Sequence, residues 1–300
     1  MCIHKALVIG GSGFVGSHVA DALSDAGIRT TLFDRRRSVH LRRDQRMIVG
    51  DVLDPGDLGP AVRGQDAVYF FGGIAGIEAS NEVPVEAIRQ NVLAVAQGLE
   101  AAKAAKVRRF VFASSVYVYS EAGGVYRVTK LAAEELIEAY GHRGLPWTIL
   151  RFGSLYGPRA PKGNAVRDHL VDALSSGVIE REGDGSEIRE YLHVHDAARG
   201  SVEILGAQYA NQRVILAGRA PLKVSDFLRL VTEILGGKIR VRYKKPTALH
   251  YGMTPYSFRP GMATRLLLPQ TVDLGEGIFH YLHELHSASG KKVSVRKPRR

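Results

Sequence analysis

Apolar residues in the first half of the chain come in short unbroken runs separated by amphipathic stretches. The first run, within residues 5–9, ends in Ala6-Leu7-Val8-Ile9, and an apolar-periodic segment follows at about 13–25. A run of that length against glycines predicts a strand buried on both faces, and the periodic segment predicts a helix. Further runs at 30–33, 47–49, 67–71, 109–113 and 147–151 predict five more strands. Helical patterns lie between them, notably at about 84–104 and 125–140. Such alternation predicts one parallel sheet with right-handed crossovers. After Gly157-Pro158 the pattern becomes less regular. A helix is expected at 164–176, a turn at Glu182-Gly183-Asp184-Gly185, an extended segment at 191–194 and a helix at 195–205. A strand at 213–217, a helix capped by Ser225 and running to 235, a strand at 239–243 and a last helix at 274–285 complete the reading. Three units follow: a core over 1–158, a region over 159–286 that completes the sheet and adds a smaller lobe, and a tail over 287–300.

The junction between the first strand and helix reads Gly10-Gly11-Ser12-Gly13-Phe14-Val15-Gly16. Closely spaced glycines between a buried strand and a helix are the phosphate-binding turn of an α/β, Rossmann-like, doubly wound parallel sheet. A tight turn without a ligand has the same glycines, so the context decides. Gly10 or Gly11 makes the turn, Gly13 leaves room for a pyrophosphate, and Gly16 lets helix and strand close up. The helix N-terminus, at Phe14 and Val15, aims free N–H groups at the phosphates. Asp34 ends the second strand, 18 residues beyond Gly16, where a carboxylate binds the adenosine ribose hydroxyls. Its charge opposes the 2′-phosphate of NADP, so NAD is the expected cofactor; the neighbouring Arg35 keeps NADP open as the alternative. Asp51 and Val52 are expected on the adenine side and Gly72 along the cofactor. Asn91 is expected to brace the loop beneath it.

Composition narrows the class. Apolar residues at 45% and charged residues at 24% are ordinary for a globular protein. Cys2 is the only cysteine, which excludes an intrachain disulfide and cysteine metal sites and favours a reducing compartment. No apolar run reaches membrane-spanning length, and the cytoplasm is the expected location. The net charge of +11 owes much to Lys291, Lys292, Arg296, Lys297, Arg299 and Arg300. That segment reads as a disordered basic tail, with nucleic acid the lesser alternative for it.

Tyr126 and Lys130 stand four residues apart, on one face of a predicted helix, and Ser115 ends the strand before it. Ligands of parallel sheets gather at such strand ends. Lys130 and a cationic nicotinamide would lower the phenol's pKa. The tyrosinate would then take a proton from a substrate hydroxyl while Ser115 orients that oxygen.

With these residues in place, the sequence resembles the extended short-chain dehydrogenase/reductases that act on nucleotide sugars. The resemblance runs from about 7 to 278. It rests on Gly10 to Gly16, Asp34, Asp51, Asn91, Phe112-Ala-Ser-Ser115, Tyr126-x-x-x-Lys130, Leu150-Arg151, Leu155-Tyr156-Gly157-Pro158, Gly183-Asp-Gly185 and Arg189 through Asp196. It implies Ser115, Tyr126 and Lys130 as catalytic residues, Tyr126 and Lys130 also touching the cofactor. It implies a C-terminal substrate-binding lobe in which Arg189 and Arg259 bind the substrate diphosphate and Ser154 lies beside the nucleotide. It further implies homodimers built on the helices at 84–104 and 125–140. Members that eliminate water carry an Asp-Glu pair after the serine, and decarboxylating members a Glu; here Val116 and Tyr117 stand there. Members that epimerise at C3 and C5 use a cysteine near this site, which Cys2 does not provide. The remaining expectation is epimerisation, foremost at C4, by transient oxidation and re-reduction, as in the UDP-galactose 4-epimerase type. A reductase or dehydrogenase of a keto nucleotide sugar is the nearest alternative. A dinucleotide-sensing or RNA-binding regulator on the same fold is another.

Three departures from the family pattern bear on the pocket. The link from Ser115 to Tyr126 is about a dozen residues short, Ser154 replaces an Asn, and Phe70 replaces a His. No metal is expected. His193, His195 and Asp196 read as structural, and His280, His283 and His286 read as one face of the last helix.

Overall fold

Each apolar run of the first half becomes a strand: β1 (Lys5–Ile9), β2 (Arg29–Asp34), β3 (Arg46–Val49), β4 (Ala67–Phe70), β5 (Arg109–Ser115) and β6 (Trp147–Phe152). The second half adds β7 (Ser154–Tyr156), β8 (Val178–Glu182), β9 (Ile188–Arg189), β10 (Tyr191–His193), β11 (Gln212–Leu216), β12 (Leu222–Lys223), β13 (Arg240–Lys244) and β14 (Thr264–Arg265). The helices are α1 (Phe14–Asp25), α2 (Pro55–Val62), α3 (Ile77–Glu82), α4 (Pro84–Ile88), α5 (Ala94–Ala104) and α6 (Gly124–His142), followed by α7 (Ala165–Ser176), α8 (Val194–Glu203), α9 (Val224–Ile234) and α10 (Leu274–Ala288). The computed structural model describes residues 3–245, 252 and 263–289. Arg259 and the basic tail from 290 on therefore lie outside the described residues.

Eight strands form one parallel sheet in the order β14-β11-β6-β5-β4-β1-β2-β3. Strand alternation divides the core between its two faces. Leu7 and Ile9 of β1 pack with Phe70, Phe112, Leu99 and Ile137, beneath α2, α5 and α6. Ala6 and Val8 face the other way, against Val19, Leu23 and Ala197 of α1 and α8. Burial on both faces explains why these strands read as continuous apolar runs. A third cluster, with Leu170, Phe227, Leu228, Ile278 and Tyr281, joins α7, α9 and α10 into the smaller lobe. The lobe's strands pair off separately: β13 with β8, β12 with β9, and β10 with β7. The chain passes one way from β1 through β2 to β3 and the other way from β4 to β6. The order thus reverses between β1 and β4, and a crevice opens at their C-terminal ends.

Two local expectations are corrected. The helix expected over 84–104 is interrupted: α4 passes into a π-turn at Arg89–Leu93 before α5 begins. The wider turn carries the buried Asn91, whose side chain holds Ile74 and Thr129, and such insertions recur at functional sites. Ser225 does not cap α9. Lys223 stands at the cap position, and the first amides, of Val224 and Ser225, donate to the carbonyls of Glu187 and Gly185. Beyond β5, Ser115 Oγ accepts the Tyr117 N–H at 3.2 Å and the chain winds into a 3-10 turn at Val116–Tyr119.

Candidate active site

The crevice is built first by backbone. Gly10 turns at φ +80°, and a Cβ there would stand 2.5 Å from the Gly72 nitrogen on β4's extension. Only glycine lets the two chains approach so closely. A Cβ on Gly16 would lie 2.2 Å from the Gly10 carbonyl oxygen, so α1 meets the turn in direct backbone contact. Gly13 is the N-cap of α1 and has no side chain to occupy the amides that follow, at Phe14 and Val15. Those donors and the positive end of α1 suit a diphosphate.

Asp34 closes the far side. Its carboxylate accepts from Ser12 N at 3.1 Å and from Arg36 N at 3.3 Å, which fixes it at the tip of β2. Gly10, Gly13, Asp34, Arg35, Val52 and Gly72 all line one cleft. Gly73, read with Gly72 as backbone that could lie along a cofactor, lines it too, as do Ile74 and Gln90, which were not read from the sequence. Asp51 shapes the loop after β3 by accepting from Leu53 N at 2.9 Å, while its own N–H donates to Asp57. Asn91 is the brace it was expected to be: Ile74 N donates to its Oδ1 at 2.8 Å, and its Nδ2 donates to Ile74 O at 2.9 Å. A crevice of glycine backbone with a fixed carboxylate at one end fits a dinucleotide diphosphate and its ribose.

Ser115, Tyr126 and Lys130 come together beyond the cleft. The Ser115 hydroxyl stands beside the Tyr126 phenol and works to lower its pKa. Ser115 Oγ accepts from Tyr117 N, which leaves its own proton to be donated elsewhere. Lys130 is buried, donates to the Ala113 carbonyl at 2.8 Å, and lies 4.7 Å from the Phe112 ring centre and 5.8 Å from that of Tyr126. Burial pushes its ammonium down to about 8, and Glu134 one helical turn away pulls it back up. Burial pushes the Tyr126 phenol above its usual range, and the Ser115 hydroxyl opposes the rise. Among the protein's own groups burial therefore dominates at the phenol, rather than the lowering expected from Lys130 together with a nicotinamide.

Glu134 is the residue that sequence reasoning missed. It is 1% exposed and accepts from Ser114 Oγ at 2.5 Å, Arg151 Nε at 3.0 Å and Arg151 Nη2 at 2.5 Å. Its place four residues after Lys130 was the available signal. Arg151 is thus buried structure, with its guanidinium 4.5 Å from the Tyr119 ring centre.

On the lobe side, Ser154 begins β7 and donates its N–H to Glu190 O. Arg189 is buried on β9, and its Nη1 donates to Ile188 O at 2.8 Å. Both sit on the strands that join sheet to lobe, whereas Arg259 is outside the described residues. His195 meets both His193 and His18 of α1 edge to edge, with centroids 4.8 and 5.0 Å apart. Burial drives His18 and His193 down to about 4, so the cluster packs as neutral rings. Among the described residues no group of three or more His, Cys, Asp or Glu is arranged to hold a metal, and no helix is long and apolar enough to cross a membrane.

Comparisons with known proteins agree with this geometry. An uncharacterized UDP-glucose epimerase, YtcB, of Bacillus subtilis is 27% identical over 81% of this chain and 86% of its own. A UDP-N-acetyl-alpha-D-glucosaminuronate decarboxylase of Bacillus cytotoxicus is 28% identical over 66% of this chain and 70% of its own. Among solved structures, MoeE5 in complex with UDP-glucose and NAD superposes with a TM-score of 0.82 at 26% identity, over 95% of this chain and 99% of that one. Residues 6–218, which hold the whole crevice and the Ser115, Tyr126 and Lys130 cluster, match the NAD dependent epimerase/dehydratase family. The protein belongs to that family and is an NAD-dependent nucleotide-sugar epimerase or a related oxidoreductase.

Proposed function

We propose that the protein inverts the C4 configuration of a UDP-sugar, with Tyr126 as the proton carrier. The observation that carries the reading is the Ser115 hydroxyl and the Tyr126 phenol set together beside the buried Lys130, with Val116 and Tyr117 where a dehydrating or decarboxylating member places its acid. A site that lacks that carboxylate keeps the chemistry of a secondary alcohol and its ketone. Bound NAD supplies the hydride acceptor and donor for that interconversion. Gly10, Gly13 and the α1 N-terminus would hold its diphosphate, and Asp34 its adenosine ribose.

The chain's residues handle the proton. Tyr126, as phenolate, takes the proton of the substrate C4 hydroxyl, and as phenol returns it to the same oxygen after the sugar has turned. Ser115 donates to that oxygen and orients it. Lys130, held by the Ala113 carbonyl, places a positive charge near the phenolate and counters the effect of burial. Arg189 and Ser154 are assigned to the nucleotide diphosphate side.

The protein is further proposed to pair with a second copy through α4 and α6, where Val85, Ile88 and Val128 are exposed apolar side chains. Tyr126→Phe tests the catalytic assignment. Inversion of UDP-glucose to UDP-galactose should fall by at least about 100-fold while bound NAD is retained. Unchanged turnover would sink it.

A further inference from the structure

We propose that Asn81 positions Tyr126 by capping the catalytic helix from outside it. Only ten residues separate Ser115 from Tyr126, and the link closes through Gly123 and Gly124, at φ +113° and +49°. Gly123 occupies the N-cap of α6 and brings no side chain to the first free amides. The Val125 N–H, at the second position of the helix, donates instead to Asn81 Oδ1 of α3 at 3.0 Å, across 44 residues of sequence. An N-cap side chain makes this bond from within its own helix; here a neighbouring helix supplies it.

The fit is tight in both directions. A Cβ on Gly124 would come within 2.5 Å of Asn81 Oδ1, so the glycine and the amide are matched to each other. Tyr126 follows Val125 directly, and Arg127 N–H closes the first turn on Gly123 O at 3.0 Å. The bond from Asn81 thus fixes the one turn that presents the phenol to Ser115. At its other end α3 hangs from Gly72 to Gly76, the loop that lines the dinucleotide cleft and that Asn91 clamps at Ile74. Asn81 ties this loop to the catalytic helix. Its effect on turnover rests on Tyr126 being the proton carrier.

The test compares full-length wild type with Asn81→Ala, which removes the acceptor, and Asn81→Asp, which keeps an oxygen there and adds a charge favoured at a helix N-terminus. Amide exchange at Val125 and kcat and KM for UDP-glucose inversion are measured on each. In Asn81→Ala, exchange at Val125 should rise about tenfold and kcat fall about tenfold, with KM within about twofold; Asn81→Asp should restore both. Unchanged exchange or unchanged kcat in Asn81→Ala overturns the proposal, as does an Asn81→Asp variant that fails alongside it. Tyr126→Phe is run beside them. If it turns over like wild type, the proton-carrier reading falls, while the exchange at Val125 still decides whether Asn81 caps the helix.

Discussion

Arg151 grips Glu134 with two hydrogen bonds inside the core, Nε to Oε1 at 3.0 Å and Nη2 to Oε2 at 2.5 Å, one helical turn from the catalytic Lys130 candidate. The pair is nearly sealed from water, at 6% and 2% side-chain exposure. Removing one partner strands the other's charge, which costs about 3–5 kcal/mol, whereas replacing both with apolar groups is often close to neutral. Glu134→Gln should therefore lower the unfolding free energy by roughly that amount, and Glu134→Leu combined with Arg151→Met should recover most of it. Chemical denaturation of the wild type and the two variants measures this.

The same carboxylate holds the Lys130 ammonium up. Burial alone lowers it, Glu134 raises it, and the balance is about 8. Without the carboxylate the ammonium should lose its proton at lower pH. If the charged form is the active one, the alkaline limb of kcat in Glu134→Gln moves to lower pH. A pH–rate profile of each protein checks the direction, and an unmoved limb would uncouple Glu134 from the site.

Asp34 should set cofactor choice. Its carboxylate is already oriented by Ser12 N and Arg36 N, so Asp34→Ala removes a charged, fixed acceptor. Hydrogen bonds to charged groups are worth about 1.5–3 kcal/mol, or roughly 10- to 150-fold in affinity. NAD binding should weaken by that order. With the negative charge gone and Arg35 lining the cleft, NADP should bind more tightly than it does to wild type. Calorimetric titration with each dinucleotide reads both effects.

The histidine cluster between α1 and the lobe predicts acid lability. His18 and His193 are buried with values near 4, below the ordinary 6.5. The unfolded chain therefore binds protons that the folded protein refuses. Their stabilisation is present in full above about pH 6.5 and is lost as pH falls towards about 4, by up to about 3 kcal/mol for each ring. Unfolding free energy measured from pH 7 to 4.5 should fall across this window, and His18→Gln should flatten the slope.

What the sequence disclosed follows from where the information resides. The β1–β6 core was legible because strands buried on both faces leave unbroken apolar runs, and Gly10, Gly16 and Asp34 because their spacing is local. The lobe strands β7, β9 and β12, and β14 at the edge of the main sheet, are two or three residues long, too short for any period to show. Asn81, Glu134 and the π-turn at Asn91 depend on partners 17 to 44 residues away in the chain, which only folding brings together.

Transient oxidation and re-reduction in place is the central claim, and a label on the migrating hydrogen tests it most directly. Purified protein is incubated with UDP-glucose carrying deuterium at C4, and the UDP-galactose formed is examined by mass and NMR. The account predicts that deuterium stays on C4 of the inverted product with no added dinucleotide. Inversion with loss of the deuterium to water, or a keto sugar accumulating in place of the epimer, would contradict it.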